Sequence, residues 1–228
     1  MLVQQILSDR FPEALGAVLG GSAAHGESTA SSDLDMVVLL SGPPAPMRVT
    51  ERLRGRPVEF FVHTEESLVD FLGRERRLRR SPLLHMLATG TIVSDPFGRI
   101  APLQELARRR WEAGPDVVDA AELEDRRYRL TALLDDLADT PDPGERAAIT
   151  ASVFTDLADL MLVSRTCWTG SGRWLLRRLH QVDPDLAQRL VAGFERAVGG
   201  DPGLLLALGN AELARLGGRL DEGYERRA

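Results

Sequence analysis

The sequence predicts an α/β domain over residues 1–112, followed by an all-α helical bundle over residues 113–228. Two observations predict this division. Short apolar runs separated by glycine, proline and serine, which are typical of buried strands, occupy the first part. Long amphipathic stretches interrupted by proline and glycine occupy the second part. The 228 residues, 43% of them hydrophobic, are enough to form a packed core in one large domain or two small ones.

Individual elements follow from the same patterns. The predicted strands are Leu15–Leu19, Leu34–Leu40, Pro57–Val62 and a short segment that begins at Thr91. The predicted helices are a short one through Ala23, Ala24 and His25, one over Pro102–Trp111, and five in the bundle: Val118–Ala138, Pro143–Cys167, Gly172–Gln181, Pro184–Val198 and Pro202–Tyr224. Proline or glycine lies in or directly borders each gap between the bundle helices, which supports these boundaries.

Three acidic residues lie in or beside two of the predicted strands. Asp33 and Asp35 stand two residues apart, so in a strand they share one face with Cα atoms about 6.6 Å apart. Carboxylates at this separation repel one another unless a cation lies between them, and their hard oxygen atoms suit Mg²⁺ or Mn²⁺. Glu59 has apolar neighbours on both sides, which makes its charge difficult to solvate. If the two strands are adjacent, the three carboxylates converge.

A glycine-rich turn follows the first predicted strand at Gly20, Gly21 and Ser22. Glycine lets the backbone approach a ligand closely, and free N–H groups beside a serine hydroxyl form a phosphate-binding turn. Alone, this tripeptide is a weak signal because many loops contain it. In combination with the acids that follow, it is far more specific.

The order of these features resembles the nucleotidyltransferase superfamily of the DNA polymerase β type, over about residues 11–100. The resemblance implies an α/β (α+β) domain with a mixed β-sheet. It also implies that Gly20, Gly21, Ser22 and Ser32 hold a nucleoside triphosphate, that Asp33 and Asp35 bind the catalytic metals, and that Glu59 is the third acid, either a metal ligand or the base. One departure is His25, which stands where these loops often have Arg or Tyr.

The layout of an α/β domain followed by a helical bundle is similar to that of kanamycin and other aminoglycoside nucleotidyltransferases and of the lincosamide enzymes. This second resemblance implies a bundle that binds the acceptor, a small hydroxylated molecule such as an aminoglycoside-like antibiotic. It further implies Mg²⁺ or Mn²⁺ as the metal, ATP as the co-substrate, and a homodimer as one possible assembly. Asp95, Glu122 and Asp125 are weaker candidates for the general base, and a capping or solvated role is favoured for each.

Two other functions stay open at this point. Arg173 and His180, separated by six residues on a predicted helix, loosely resemble the nuclease motif of the helical partners of minimal nucleotidyltransferases in toxin–antitoxin systems. The chain would then be an antitoxin-type regulatory protein or a protein-adenylylating enzyme. A third possibility is a catalytically silent protein that binds nucleotide without turnover.

Composition excludes several other classes. All 28 basic residues are arginine, so a Schiff-base or lysyl nucleophile mechanism is impossible. The single cysteine excludes an intramolecular disulfide framework, and the histidines lack zinc-ligand spacing. A net charge of −6 argues against a general nucleic-acid binder. No apolar run is long enough to span a membrane, and no signal-peptide core begins the sequence, so the expected location is cytoplasmic.

Overall fold

The computed structural model describes residues 2–24 and 33–226, without the side chain of Ser22. Of the residues named above, His25 and Ser32 therefore lie outside the described part. The chain splits into two compact units, Met1–Pro115 and Asp116–Ala228. Their boundary lies a few residues beyond the predicted one, in a stretch without regular structure that follows Gly114.

Among the described residues, the first unit contains a mixed five-stranded sheet, which confirms the predicted mixed β-sheet. Its strands are β1 (Gly16–Gly20), β2 (Leu34–Leu39), β3 (Met47–Leu53), β4 (Arg56–His63) and β5 (Thr91–Ser94). Their order across the sheet is β3-β4-β2-β1-β5, with β2 and β4 parallel and the other neighbours antiparallel. The central strand β2 is almost entirely buried, as its continuous apolar run predicts.

Helices cover both faces of this sheet. The helices of the first unit are α1 (Leu2–Arg10), α2 (Gly21–Ala24), α3 (Glu65–Leu78), α4 (Pro82–Thr89) and α5 (Ile100–Glu112). Ile6 and Leu7 of α1 pack with Met36, Val38 and Phe60 on one face. The opposite face lies under α3, α4 and α5. On that face β1 has Gly16 and Gly20, where an added Cβ would collide with Ile100 of α5 and Met86 of α4.

Helices α3 and α4, which the sequence patterns left unassigned, are stabilised by two sets of polar contacts. Thr64 and Ser67 form a reciprocal capping box at the start of α3, with N···O distances of 3.1 and 2.9 Å. Near the end of α3, the buried Glu75 carboxylate accepts the backbone N–H groups of Leu83 and Leu84 at the start of α4. Glu75 therefore ties the two helices together below the surface.

In the described part of the second unit the regular elements are helices, which agrees with the predicted helical bundle. Its helices are α6 (Ala120–Asp139), α7 (Pro143–Val163), α8 (Arg173–Val182), α9 (Pro184–Val198) and α10 (Gly203–Arg215). They share one core of leucine, alanine and methionine side chains. No helix in residues 2–24 and 33–226 combines the length and apolar character needed to cross a membrane.

Two of the predicted helix ends are wrong. Helix α7 ends at Val163 instead of Cys167, because Thr166 adopts a left-handed conformation with φ of +54°. Helix α10 ends at Arg215 instead of Tyr224, because Gly217 and Gly218 have φ of +104° and +94° and stop the helix. The predictions followed the apolar pattern past residues whose backbone cannot continue a right-handed helix.

Candidate functional site

Asp35 and Glu59 lie side by side on adjacent strands of the sheet. Asp35 of β2 is the direct partner of Glu59 in the parallel β2–β4 pair. The same row continues to Thr50 of β3 on one side and to Gly20 of β1 on the other. Directly paired residues project their side chains from the same face, so the two carboxylates share a face. We call Thr50, Glu59, Asp35 and Gly20 the acid row.

The strand-to-helix turn that follows β1 lies directly against this row. Gly21 has φ of +63°, a conformation that side chains rarely adopt. A Cβ atom added there would collide with Oδ2 of Asp35. At Gly20, an added Cβ would lie 2.7 Å from Cβ of Met86 on α4. Both glycines are thus required for the backbone of this turn to approach the Asp35 carboxylate under α4.

Arg48, which sequence patterns did not indicate, supplies a cation to the acid row. Its Nε donates to Oε1 of Glu59 at 2.5 Å, and the Thr50 hydroxyl lies 3.4 Å from the same oxygen. The guanidinium also lies over the Phe61 ring, 5.0 Å from its centroid. The Arg48 side chain is 67% exposed, whereas that of Glu59 is 17% exposed. Glu59 is therefore sheltered, and the arginine covers it from the solvent side.

The charges of both acids act on Arg48. The hydrogen bond from Arg48 to Glu59 raises the pKa of the guanidinium, and the negative charges of Glu59 and Asp35 act in the same direction, while partial burial opposes them. Two carboxylates and one guanidinium leave this part of the row with one formal negative charge. This excess, counted over these three groups alone, favours the approach of a further cation.

For the remaining predicted site residues, the described part of the chain shows at most a position, and no contact with the acid row. Asp33 is exposed and directly precedes β2, while the backbone of Ser22 forms part of α2. Ser32 and the Ser22 side chain lie outside the described residues, so their phosphate contacts stay predictions. Over residues 2–24 and 33–226, no group of three or more His, Cys, Asp or Glu side chains is arranged to hold a metal ion. The structure brings Asp35 and Glu59 together, and convergence with Asp33 stays a prediction.

The weaker base candidates have partners of their own. Asp95 accepts the backbone N–H groups of residues 99, 100 and 101 at the start of α5, at 2.7, 3.0 and 3.1 Å. Partial burial acts to raise the pKa of Asp95, but these three donors outweigh it and lower the pKa. Glu122 pairs with Arg126 at 2.9 Å, and Asp125 accepts the Tyr224 hydroxyl at 2.6 Å. Asp95 therefore has the capping role favoured from the sequence, whereas Glu122 and Asp125 are paired with other side chains.

Comparison with known proteins gives a limited result. The sequence matches no known family description, and no curated protein matches it. Among solved structures, the chain resembles the crystal structure of a nucleotidyltransferase-like protein from Exiguobacterium sibiricum 255-15. Sequence identity is 16% and the TM-score is 0.47, over 93% of this chain and 73% of that one. At this degree of similarity, function has to be argued from the residues of this chain alone.

Proposed function

We propose that the chain is a metal-dependent nucleotidyltransferase that transfers a nucleoside monophosphate, AMP from ATP, to a hydroxyl group of a small molecule. One observation carries the proposal. Asp35 and Glu59 are in register on adjacent strands, and a glycine turn that cannot accommodate a side chain lies against Asp35. A carboxylate pair beside closely approaching backbone is suited to holding a cation and a phosphate group together.

The donor set fits a hard divalent cation. Asp35 and Glu59 offer carboxylate oxygens from one face, and Asp33 adds a third carboxylate two residues before Asp35. Magnesium and manganese prefer such oxygen ligands. When bound, the cation supplies neutralisation of phosphate charge and lowers the pKa of an acceptor hydroxyl. We propose that Asp33, Asp35 and Glu59 hold it.

The chain's own residues bind and orient the reactants. Gly20, Gly21, Ser22 and Ser32 are proposed to hold the triphosphate, with Gly21 allowing the closest approach of the backbone. The acceptor oxygen forms a bond to the α-phosphorus, the bond from that phosphorus to the bridging oxygen breaks, and pyrophosphate leaves with the electron pair. Glu59 is our first choice to accept the hydroxyl proton, provided that Arg48 has released it.

The helical second unit is proposed to bind the acceptor. Its residues, 116–228, carry 20 acidic residues and 14 arginines, a net charge of −6. An acidic surface favours a polycationic acceptor such as an aminoglycoside, which would make antibiotic modification the biological role.

The Arg48–Glu59 ion pair favours one alternative. An arginine that remained permanently on Glu59 would take the position of a cation beside the acids, and the chain would bind nucleotide without turnover. This silent protein would retain triphosphate binding in an Asp35→Asn variant, because its nucleotide contact would not depend on a metal held by Asp35.

A pyrophosphate-release screen tests the proposal. Each nucleoside triphosphate is combined with aminoglycosides, lincosamides and simple polyols, with and without Mg²⁺. We expect Mg²⁺-dependent release with at least one acceptor, and a loss of at least about 100-fold in Asp35→Asn. Asp70→Asn, which changes an exposed acid on α3, is the matched control and should retain full activity. Triphosphate binding without release for any acceptor would overturn the proposal in favour of the silent protein.

A further inference from the structure

Arg48 reaches the acid row diagonally from the edge of the sheet. Its direct partner on β4 is Phe61, whereas Glu59 is the partner of Thr50, two residues further along β3. Diagonal neighbours on adjacent antiparallel strands lie within reach of long side chains. The guanidinium therefore makes two separate contacts, an ion pair with Glu59 and a cation–π contact with Phe61. If the ion pair is released, the Phe61 contact can still keep the guanidinium on this face.

Separation of the Arg48–Glu59 ion pair requires little free energy. Arg48 is exposed on the edge strand β3. Ion pairs at exposed positions change the equilibrium constant for folding by less than about fivefold. Water can replace the carboxylate around the guanidinium once the pair separates. Glu59 is the more enclosed of the two, with 17% of its side chain exposed, so a positive partner offsets its partial loss of solvation. A divalent cation between Glu59 and Asp35 would supply that partner and leave Arg48 uncompensated.

Charge balance then determines what Arg48 would bind. The two carboxylates and Arg48 sum to −1, and the two carboxylates with a divalent cation sum to zero. With Asp33 as a third ligand each sum is one unit more negative, but in both cases the divalent cation adds two positive charges beside the guanidinium and takes its place on Glu59. An arginine fork binds phosphate oxygens with two parallel hydrogen bonds, so the incoming triphosphate is a suitable partner.

We propose that Arg48 is a displaceable positioning residue: it neutralises Glu59 before the metal binds, and it transfers to a phosphate of the nucleotide when the metal takes its place. This inference rests on the proposed function, because it requires a divalent cation at Asp35 and Glu59. It makes metal and nucleotide binding mutually dependent, because the metal releases Arg48 from Glu59 and the nucleotide then binds the released guanidinium.

The test uses two binding measurements on the full chain. Electron paramagnetic resonance measures free Mn²⁺ and hence the affinity of the chain for Mn²⁺ alone. Calorimetry then measures binding of the α,β-methylene analogue of ATP at saturating Mn²⁺. We expect Arg48→Gln to bind Mn²⁺ alone up to about fivefold more tightly, because the competing cation is gone. It should bind the analogue about 10- to 100-fold more weakly, because a charge-assisted phosphate contact is lost.

One control variant distinguishes the specific effect of Arg48→Gln on the two affinities from the general effect of removing a positive charge. Arg52→Gln removes an arginine four residues along the same strand and the same face, where the side chain bonds to the carbonyl oxygen of Gly55. It should leave both affinities within about twofold of the wild type, because solvent and salt screen its charge. Circular dichroism establishes that each variant is folded.

The outcomes are distinguishable. Opposite changes in the two affinities for Arg48→Gln alone support the inference. Unchanged affinities, weakening of both, or the same pattern in Arg52→Gln overturn it, and the proposed function survives if Asp35→Asn still abolishes Mn²⁺ binding. If neither the wild type nor Arg48→Gln binds Mn²⁺, the inference and the proposed metal site fail together.

Discussion

The two units of the chain both join carboxylates to arginines, but the second unit closes its network and the first leaves its network open. Glu212 on α10 receives bonds from Arg165 at 2.8 and 3.1 Å, from Arg215, and from Ser164 at 3.0 Å. Its side chain is only 5% exposed. Glu59 receives its short bond from Arg48, whose side chain is mostly exposed.

This difference indicates different roles. Burial acts to raise the pKa of Glu212, but its two arginines outweigh burial and lower the pKa, so the carboxylate is held in its charged form. A carboxylate whose lone pairs are occupied by protein donors is a structural element. Glu59 instead bonds to an arginine that is mostly exposed, and such a partner can be exchanged for a ligand. The contrast explains why we place the functional site on the sheet, although arginine–carboxylate pairs are common in the bundle.

Breaking the closed network should have the largest effect on folding. Glu212→Gln leaves Arg165 and Arg215 without their carboxylate, and loss of a buried ionic partner costs about 3 kcal/mol when the arginines remain partly hydrated. Urea unfolding measures this change. Glu195→Gln, at an exposed position of α9, is the control and should stay within about 0.5 kcal/mol of the wild type. Equal stabilities for the two variants would show that the network is not structural.

Glu75 adds a third arrangement, a buried carboxylate that meets backbone N–H groups instead of arginines. Burial raises its pKa from 4.5 to about 7, against the effect of the bonds from Leu83 and Leu84. The folded state therefore holds the proton more tightly than the unfolded state. This contribution to stability is fully present below about pH 4.5 and is lost as the pH rises through about 7.

A pH series of unfolding experiments measures the effect. We expect the free energy of unfolding of Glu75→Gln, relative to the wild type, to increase by about 3 kcal/mol between pH 4 and pH 8, because the variant has no group to titrate. Glu66→Gln, at an exposed position on the same helix, should show a constant difference. If the difference in free energy of unfolding between Glu75→Gln and the wild type is also constant, the Glu75 carboxylate is charged in the folded protein over this pH range, as that of Glu212 is.

Gly21→Ala should damage the acid row and the fold together. The φ of +63° makes an alanine there unfavourable by about 1–2 kcal/mol, and its Cβ would displace the Asp35 carboxylate. Gly55→Ala is the matched control, because Gly55 has φ of +82° with nothing within 4 Å of an added Cβ. Gly21→Ala should lose at least as much stability in urea as Gly55→Ala, but only Gly21→Ala should lose Mn²⁺ affinity. Equal Mn²⁺ affinities for Gly21→Ala and Gly55→Ala would show that the glycine turn does not position the metal site.

The smallest expected effect is that of Arg48→Gln on stability. Since its side chain is 67% exposed, removal of the ion pair should change the free energy of unfolding by less than about 1 kcal/mol. The same urea series includes this variant beside Glu212→Gln. A loss as large as that of Glu212→Gln would mean that Arg48 is as structural as the bundle arginines, and the distinction between an open and a closed network would disappear.

Sequence patterns predicted the strands that carry Asp35 and Glu59, because both are continuous apolar runs interrupted by one acid. They could not fix the register, since pairing depends on contacts between segments that are distant along the chain. From the sequence, Asp35 and Glu59 are therefore expected to lie side by side only if their two strands are neighbours in the sheet. The sequence also predicts a close approach of the backbone at the glycines, but the contact of Gly21 with Asp35 depends on the pairing of β1 with β2, which are distant along the chain.

Arg48 was missed because β3 is an edge strand. Its residues alternate between half-buried and exposed positions from Met47 to Leu53, a period-2 pattern that favours a strand. The apolar signal is weak because one face is open to solvent, and no sequence pattern states which acid an exposed arginine will meet. Helix α3 had a similar local signal in the Thr64–Ser67 capping pair. That pair differs from the usual signature, because its third helical residue is serine.

Crystallography of the chain with Mn²⁺ and the α,β-methylene analogue of ATP tests the central claim most directly. Anomalous diffraction locates manganese independently of the other atoms. The account predicts an anomalous peak between the carboxylates of Asp35 and Glu59, with Arg48 moved from Glu59 to a phosphate oxygen. Clear density for the nucleotide, with no anomalous peak beside these carboxylates and Arg48 still bonded to Glu59, would contradict it.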